Sequence, residues 1–198
     1  MSGHLCEPLP IPTAGPSGCL SARIEGRTTE GDIVILEGSF TIPADRDRVW
    51  DAIWDVPTLA GWIPGCTSAE QLTVDTYRVR LEQQVAFMKA AFDLQLRIVE
   101  SAAPELVRFE AEGADKRMGS NVKVETTVTL HSVGSNETQL AYRHDMSIFG
   151  KLGALGFPVI ARKARDIEAE FARRARASFE SAPTFPAAPA PTAPGAGL

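Results

Sequence analysis

Cysteine is scarce in this chain of 198 residues: Cys6, Cys19 and Cys66 are the only three. Three scattered thiols support neither a disulfide framework nor a zinc site, and free thiols in a reducing cytoplasm are the expectation. Basic residues are also in deficit. Twenty Lys and Arg against 25 Asp and Glu give a net charge of −5 and a pI near 5.3, the opposite of the footprint a nucleic-acid binder needs. No run of about 18 apolar residues occurs, so no helix is expected to span a bilayer. The opening MSGHLC has no basic start followed by an apolar stretch, so no secretory leader is expected. Metal-ligand spacing, a Gly-rich phosphate loop and a legible Ser/His/Asp set are all lacking.

What is present divides into three parts. Residues 1–31 hold Pro8, Pro10, Pro12, Pro16 and five glycines with no hydrophobic period. Ordering them would cost backbone entropy without burying much, so a flexible N-terminal arm is expected. Residues 181–198 carry five prolines and no charge, which predicts a disordered Pro/Ala-rich tail. Residues 32–180 read as one compact domain.

Within that domain, 32–42 places Val34, Leu36, Phe40 and Ile42 on one parity, a strand that Pro43 stops. Asp45 is a good N-cap for a short helix striped by Val49, Trp50, Ile53 and Trp54, and Pro57 ends it. A second helical turn, 58–62, runs into the tight turn Ile63-Pro64-Gly65-Cys66. Alternation then marks strands at 76–85, 88–100, 105–111, 120–133 and 137–148, the last two joined at Gly134-Ser135-Asn136. Short links between alternating strands predict an antiparallel sheet with one wet face.

From 151 to 179 the period changes. Leu152, Leu155, Val159, Ile160, Ala164, Ile167, Phe171 and Ala175 follow helical spacing, and Pro158 falls in the first turns, where it is tolerated or kinks the helix. A sheet with one dry face must be covered, and this helix is the one large element available. The predicted fold is therefore α+β with a helix-grip arrangement. A curved antiparallel sheet of about six or seven strands surrounds a long C-terminal helix, with two short helices after the first strand and a cavity between sheet and helix.

Three local patterns carry a family resemblance. They are the strand, Pro43 and helix with Val49-Trp50; Leu59 through Ile63-Pro64-Gly65-Cys66; and Phe149-Gly150-Lys151-Leu152-Gly153 ahead of IARKARDIEAEFARR. Over about residues 33–180 the chain resembles the carbon monoxide dehydrogenase CoxG family of the START-like (SRPBCC) superfamily. The arm 1–31 is additional to that pattern. The Pro/Ala tail stands where some members carry a hydrophobic anchor, so a C-terminal membrane-spanning anchor is not expected.

The side chains predicted to line the cavity follow the inward parities. Phe87, Met88, Phe92 and Leu94 come from one strand and its turn, Phe109 from the next, Val124 and Val128 from the third, and Tyr142, His144 and Met146 from the last, with Leu155 and Ile160 from the helix. Trp62, Ile63 and Pro64 are placed at the mouth. Tyr142 and His144, two residues apart, share a face and are the expected polar handle of an apolar pocket. The competing reading of His144 is a core histidine bonded to Tyr142 or to a backbone carbonyl. Cys66 has no Lys, Arg or His within four residues to lower its pKa and reads as a small buried hydrophobe. Asp166, Glu168 and Glu170 interleave with Arg162, Lys163 and Arg165 on a solvated helix face. Arg173, Arg174 and Arg176 have no acid between them and are the expected contact with an anionic membrane or an acidic partner.

No catalytic set is legible, and the residues point to a binding protein rather than an enzyme. The resemblance implies a partner, an aerobic molybdenum carbon monoxide dehydrogenase or related hydroxylase. It implies a non-enzymatic hydrophobic-ligand binder that links this enzyme to the membrane, by recruiting it or by carrying a respiratory quinone. No tightly bound cofactor is expected, only a quinone or lipid-like ligand. The expected location is cytoplasmic, peripheral at the inner face of the cell membrane. Two alternatives stand beside this: a polyketide cyclase/aromatase-like enzyme using Tyr142 and His144 as acid and base, and an assembly factor for the molybdenum enzyme.

Overall fold

The computed structural model describes residues 23–28 and 32–180, with side-chain burial described from Val34 onward. Residues 1–22 and the expected tail 181–198 lie outside the described residues. The chain order is β1 (Arg23–Thr28), β2 (Asp32–Ile42), α1 (Arg46–Trp54), α2 (Val56–Trp62), β3 (Cys66–Gln71), β4 (Thr76–Val85), β5 (Met88–Ala102), β6 (Leu106–Asp115), β7 (Ser120–Gly134), β8 (Glu137–Gly150) and α3 (Phe157–Glu180). The strands form one antiparallel sheet in the order β1-β2-β8-β7-β6-β5-β4-β3.

The helices start where side chains supply the missing acceptors. Asp45 accepts from Arg48 N at 3.0 Å and caps α1. Asp55 closes α1 and opens α2, accepting from Thr58 N at 3.0 Å. Such a cap contributes about 1 kcal/mol, and Pro57 fits the first turn of α2 because no amide proton is needed there.

The sheet has eight strands rather than six or seven. β1 falls inside the arm expected over 1–31 and pairs with β2 from Arg23↔Glu37 to Thr28↔Asp32. β3 is a second addition to the expected strands. Its sequence, CTSAEQ, has no apolar alternation, and as an edge strand it buries no residue fully. Register shifts at Cys66/Ser68, Ile98/Glu100 and Ser132/Gly134 mark bulges, which bend the strands and help the sheet to curl.

The expected helix 151–179 is shorter than predicted. A 3-10 turn, Gly153–Leu155, comes first, and Gly156 then adopts φ 82°, a conformation glycine reaches without strain. Pro158 can sit only in a first helical turn, so α3 begins at Phe157. α3 lies over β2 and reaches β4. Because four strands separate β2 from β4 in the sheet, the sheet must wrap round the helix.

Two apolar clusters hold α3. One joins Val34, Val85, Ala90, Phe92, Val122, Leu152 and Ile160 near its start. The other joins Leu36, Phe40, Ile42, Val49, Trp62, Leu130, Leu140, Ala172, Ala175 and Phe179 near its end. Alanines on this face of α3 let its backbone lie close to β2.

Candidate functional site: an apolar cleft with a buried polar centre

Between the two clusters the inner face is left partly open. Leu94 and Leu96 of β5, Phe109 of β6, Val124 and Val128 of β7 and Met146 of β8 are half-buried, and so are Val159, Ile167 and Phe171 of α3. A closed core would bury such side chains. Here they form the facing walls of a cleft beneath the helix.

The polar groups of the interior gather where β2, β7 and β8 pass under the middle of α3. The Tyr142 ring stacks on His144, with centroids 5.0 Å apart and planes at 28°. His144 Nδ1 hydrogen-bonds the hydroxyl of buried Thr126 at 2.8 Å. Neither Tyr142 nor a backbone carbonyl is that partner. Burial pushes the imidazole down to about 4, so it is neutral at physiological pH.

Glu168 of α3 is buried in this centre, 8% exposed, instead of lying on the solvated face. Burial pushes its carboxyl up to about 7. Tyr142 Oη and Glu168 Oε1 are both buried with no hydrogen-bond partner among the described residues. They converge on Gly38 of β2: a Cβ there would overlap Tyr142 Oη and stand 2.8 Å from Glu168 Oε1. The glycine is thus the space that admits both oxygens. Sequence reasoning missed Glu168 because it sits among arginines. The available signal was its place four residues from both Ala164 and Ala172, on the small-residue face.

Most of the predicted lining residues come together. Met88, Phe92, Leu94, Val124, Met146, Leu155 and Ile160 meet in the first cluster and its margin. Val128, Tyr142 and Met146 meet in the second, and Phe109 stands opposite Thr126. Others do not belong to the cleft. Phe87 is 84% exposed, because the two-residue turn between Val85 and Met88 carries it off the end of the sheet. Trp62 is 2% exposed rather than at a mouth: its Nε1 donates to Ser178 Oγ at 3.0 Å and its ring packs edge-on to Phe171. Ile63 and Pro64 are half-buried, and Pro64 O accepts from Gln83 Nε2. Cys66 is half-buried and its thiol is raised by burial, which makes it unreactive.

The three arginines do not form a free basic patch. Arg173 and Arg174 both bond Glu170, at 2.6 Å and 2.7 Å, and hold its carboxyl down to about 2. Arg176 Nε donates to Thr41 O at 2.9 Å, with its guanidinium 5.4 Å over the Phe40 ring. A shallow groove of about 430 Å³ between α2 and α3 is lined by Pro57, Trp62, Arg173, Arg174 and Ser178, and it is separate from the cleft. Among the described residues no group of three His, Cys, Asp or Glu is placed to hold a metal ion. No helix there is long and apolar enough to cross a membrane.

A curled antiparallel sheet gripping a C-terminal helix, with an apolar cleft between them, defines a START-like protein. Solved structures agree on the fold. A conserved protein from Geobacillus kaustophilus superposes with TM-score 0.68 at 22% identity, covering 73% of this chain and 93% of that one. A START superfamily protein from Mycobacterium smegmatis gives 0.57 at 12% identity, covering 74% and 97%. The Zhui aromatase/cyclase from a Streptomyces species gives 0.57 at 17% identity, covering 75% and 94%. Residues 38–178 match the profile of the CoxG family, described as the G component of carbon monoxide dehydrogenase, and the chain belongs to that family. Among curated proteins none matches the chain.

Proposed function

We propose that this chain is a non-enzymatic binding protein for a quinone-like or lipid-like molecule, serving a molybdenum carbon monoxide dehydrogenase or a related hydroxylase. The observation that carries the reading is the cleft itself. Its walls are apolar and half-open, and its polar content is concentrated in Tyr142, His144, Thr126 and Glu168. Ligand sites for apolar molecules have this composition: broad apolar walls and a few groups that fix orientation.

A quinone offers two carbonyl acceptors. The Tyr142 hydroxyl donates to one, and the protonated Glu168 carboxyl donates to the other or to the same oxygen. The neutral His144 ring, held by Thr126, supports the stacked Tyr142 from below. The family name supplies the enzyme partner, and carrying a respiratory quinone between it and the membrane is the role proposed here. Native mass spectrometry of the purified full chain tests this. A co-purifying isoprenoid quinone or lipid is the expected result. A bare protein mass that takes up no added quinone counts against the carrier and favours an assembly role.

One observation favours a second reading. A carboxyl near pH 7 beside a buried phenol is an acid–base pair, and enzymes of the cyclase type share this fold. If Glu168→Gln abolished a measured turnover while preserving substrate affinity, the enzyme would be the correct reading.

A further inference from the structure

One end of the molecule has a composition unlike the rest. Residues 86–89 turn β4 into β5, 116–119 turn β6 into β7, and 149–158 link β8 to α3. These segments are tied together. Arg117 Nη2 donates to Lys89 O at 3.1 Å, Asn121 stands opposite Phe149, and Leu152 N donates to Ser120 Oγ at 3.1 Å.

Lys89, Lys116, Arg117 and Lys151 are exposed here, and none of them pairs with a carboxylate in the salt bridges of the described residues. The three segments contain no Asp or Glu. The adjoining Asp115 is 2% exposed and accepts from Ala91 N and Met118 N, at 2.8 Å and 2.9 Å. Further along the sheet the charges pair off, as in Arg80–Asp93 at 3.2 Å and Lys123–Glu125 at 3.6 Å. A chain of net charge −5 therefore ends in an uncompensated cationic rim.

Apolar side chains project through that rim. Phe87 is 84% exposed and Phe149 is 46% exposed. The hairpin that presents Phe87 has Ala86 at φ 52°, a position that glycine or asparagine fills more easily. Turn propensity is thus sacrificed at an apex whose next residue is a solvent-facing phenylalanine.

We propose that this end docks on an anionic lipid bilayer, with Phe87 and Phe149 in the interfacial layer and the four cations among the head groups. A bilayer suits the patch better than a protein. Three of the four cations are lysines, which protein interfaces disfavour, and lysines beside exposed aromatics are the pattern of interfacial insertion. The same end adjoins half-buried Met88, Leu155, Phe157 and Val159 at the edge of the first cluster. On the carrier reading above, on which this clause alone rests, docking here would let an apolar ligand pass between lipid and cleft with little exposure to water.

The test is sedimentation of the full chain with vesicles of phosphatidylcholine alone or mixed with phosphatidylglycerol. Binding to the anionic vesicles is expected, with loss as salt rises. Lys116→Gln with Arg117→Gln should weaken it about 30-fold, at about tenfold or somewhat less per charge. Phe87→Ser should weaken it about tenfold, while Arg173→Gln with Arg174→Gln leaves it unchanged. Quinone uptake in detergent by the Phe87→Ser variant reports on the carrier reading separately and should match wild type. The proposal is overturned if wild type ignores anionic vesicles, if the tip variants bind as wild type does, or if they lose only their affinity for the dehydrogenase.

Discussion

At the end of the sheet closed by α1 and α2, Trp62, Phe171 and Phe179 lock ring to ring, with centroids 6.0 Å and 5.8 Å from Trp62. At the opposite end Phe87 stands 84% exposed at a hairpin apex. Charge divides the same way. At the closed end carboxylates are committed: Asp45 and Asp55 cap helices, Glu105 pairs with Arg46, and Glu170 neutralises Arg173 and Arg174. At the open end four cations have no acid among them. The same residue types build a fixed base at one end and a contact surface at the other, and what separates them is whether the fold supplies partners.

The comparison breaks most readily at Trp62. Trp62→Ala removes a ring buried among Phe171, Phe179 and Ser178, and a loss of about 3–5 kcal/mol is expected in denaturant unfolding. A loss below about 1 kcal/mol would mean that this end is loosely packed. Gly38→Ala comes next. The new methyl overlaps Tyr142 Oη, so destabilisation of about 1–3 kcal/mol is expected, and adding Tyr142→Phe should restore part of it by removing the clashing oxygen.

The buried centre between the two ends gives a pH signature. Glu168 is raised to about 7, so the folded state holds a proton that the unfolded chain has released, and stability falls as pH rises from about 4.5 to 7. His144 is lowered to about 4, so the unfolded chain takes up a proton that the folded state refuses, and stability falls as pH drops from about 6.5 to 4. The two slopes oppose each other between about pH 4.5 and 6.5. Relative to wild type, Glu168→Gln should steepen the rise of stability with pH there, and His144→Phe should steepen its fall, each by about 1.4 kcal/mol per pH unit at most. Profiles parallel to wild type would show that neither group is desolvated as described. The smallest effect belongs to the open end: Phe87→Ser should leave stability within about 0.5 kcal/mol in the same unfolding measurement.

Much of this architecture was legible in the sequence because alternation and helical period report burial directly. β4 and β5 begin where alternation begins, and the apolar parities of β5, β7 and β8 supply the cleft walls. β1 and β3 were not legible, since edge strands bury little and leave no apolar signature. Phe87 continues the apolar run of its strand, yet the turn at Ala86 takes it out of the cleft. Tyr142 and His144 could be placed on one face from their spacing. That Glu168 meets Tyr142 across Gly38 depends on how α3 settles on β2, which no local pattern records.

Equilibrium binding of a short-chain naphthoquinone to the full chain tests the central claim most directly, with Tyr142→Phe and Glu168→Leu measured beside wild type. The account predicts that wild type binds and that each variant binds up to about tenfold more weakly, the loss of one hydrogen bond of about 0.5–1.5 kcal/mol. An apolar fluorescent probe without carbonyls should bind all three alike. Quinone affinity unchanged in both folded variants, or absent in wild type, would contradict it.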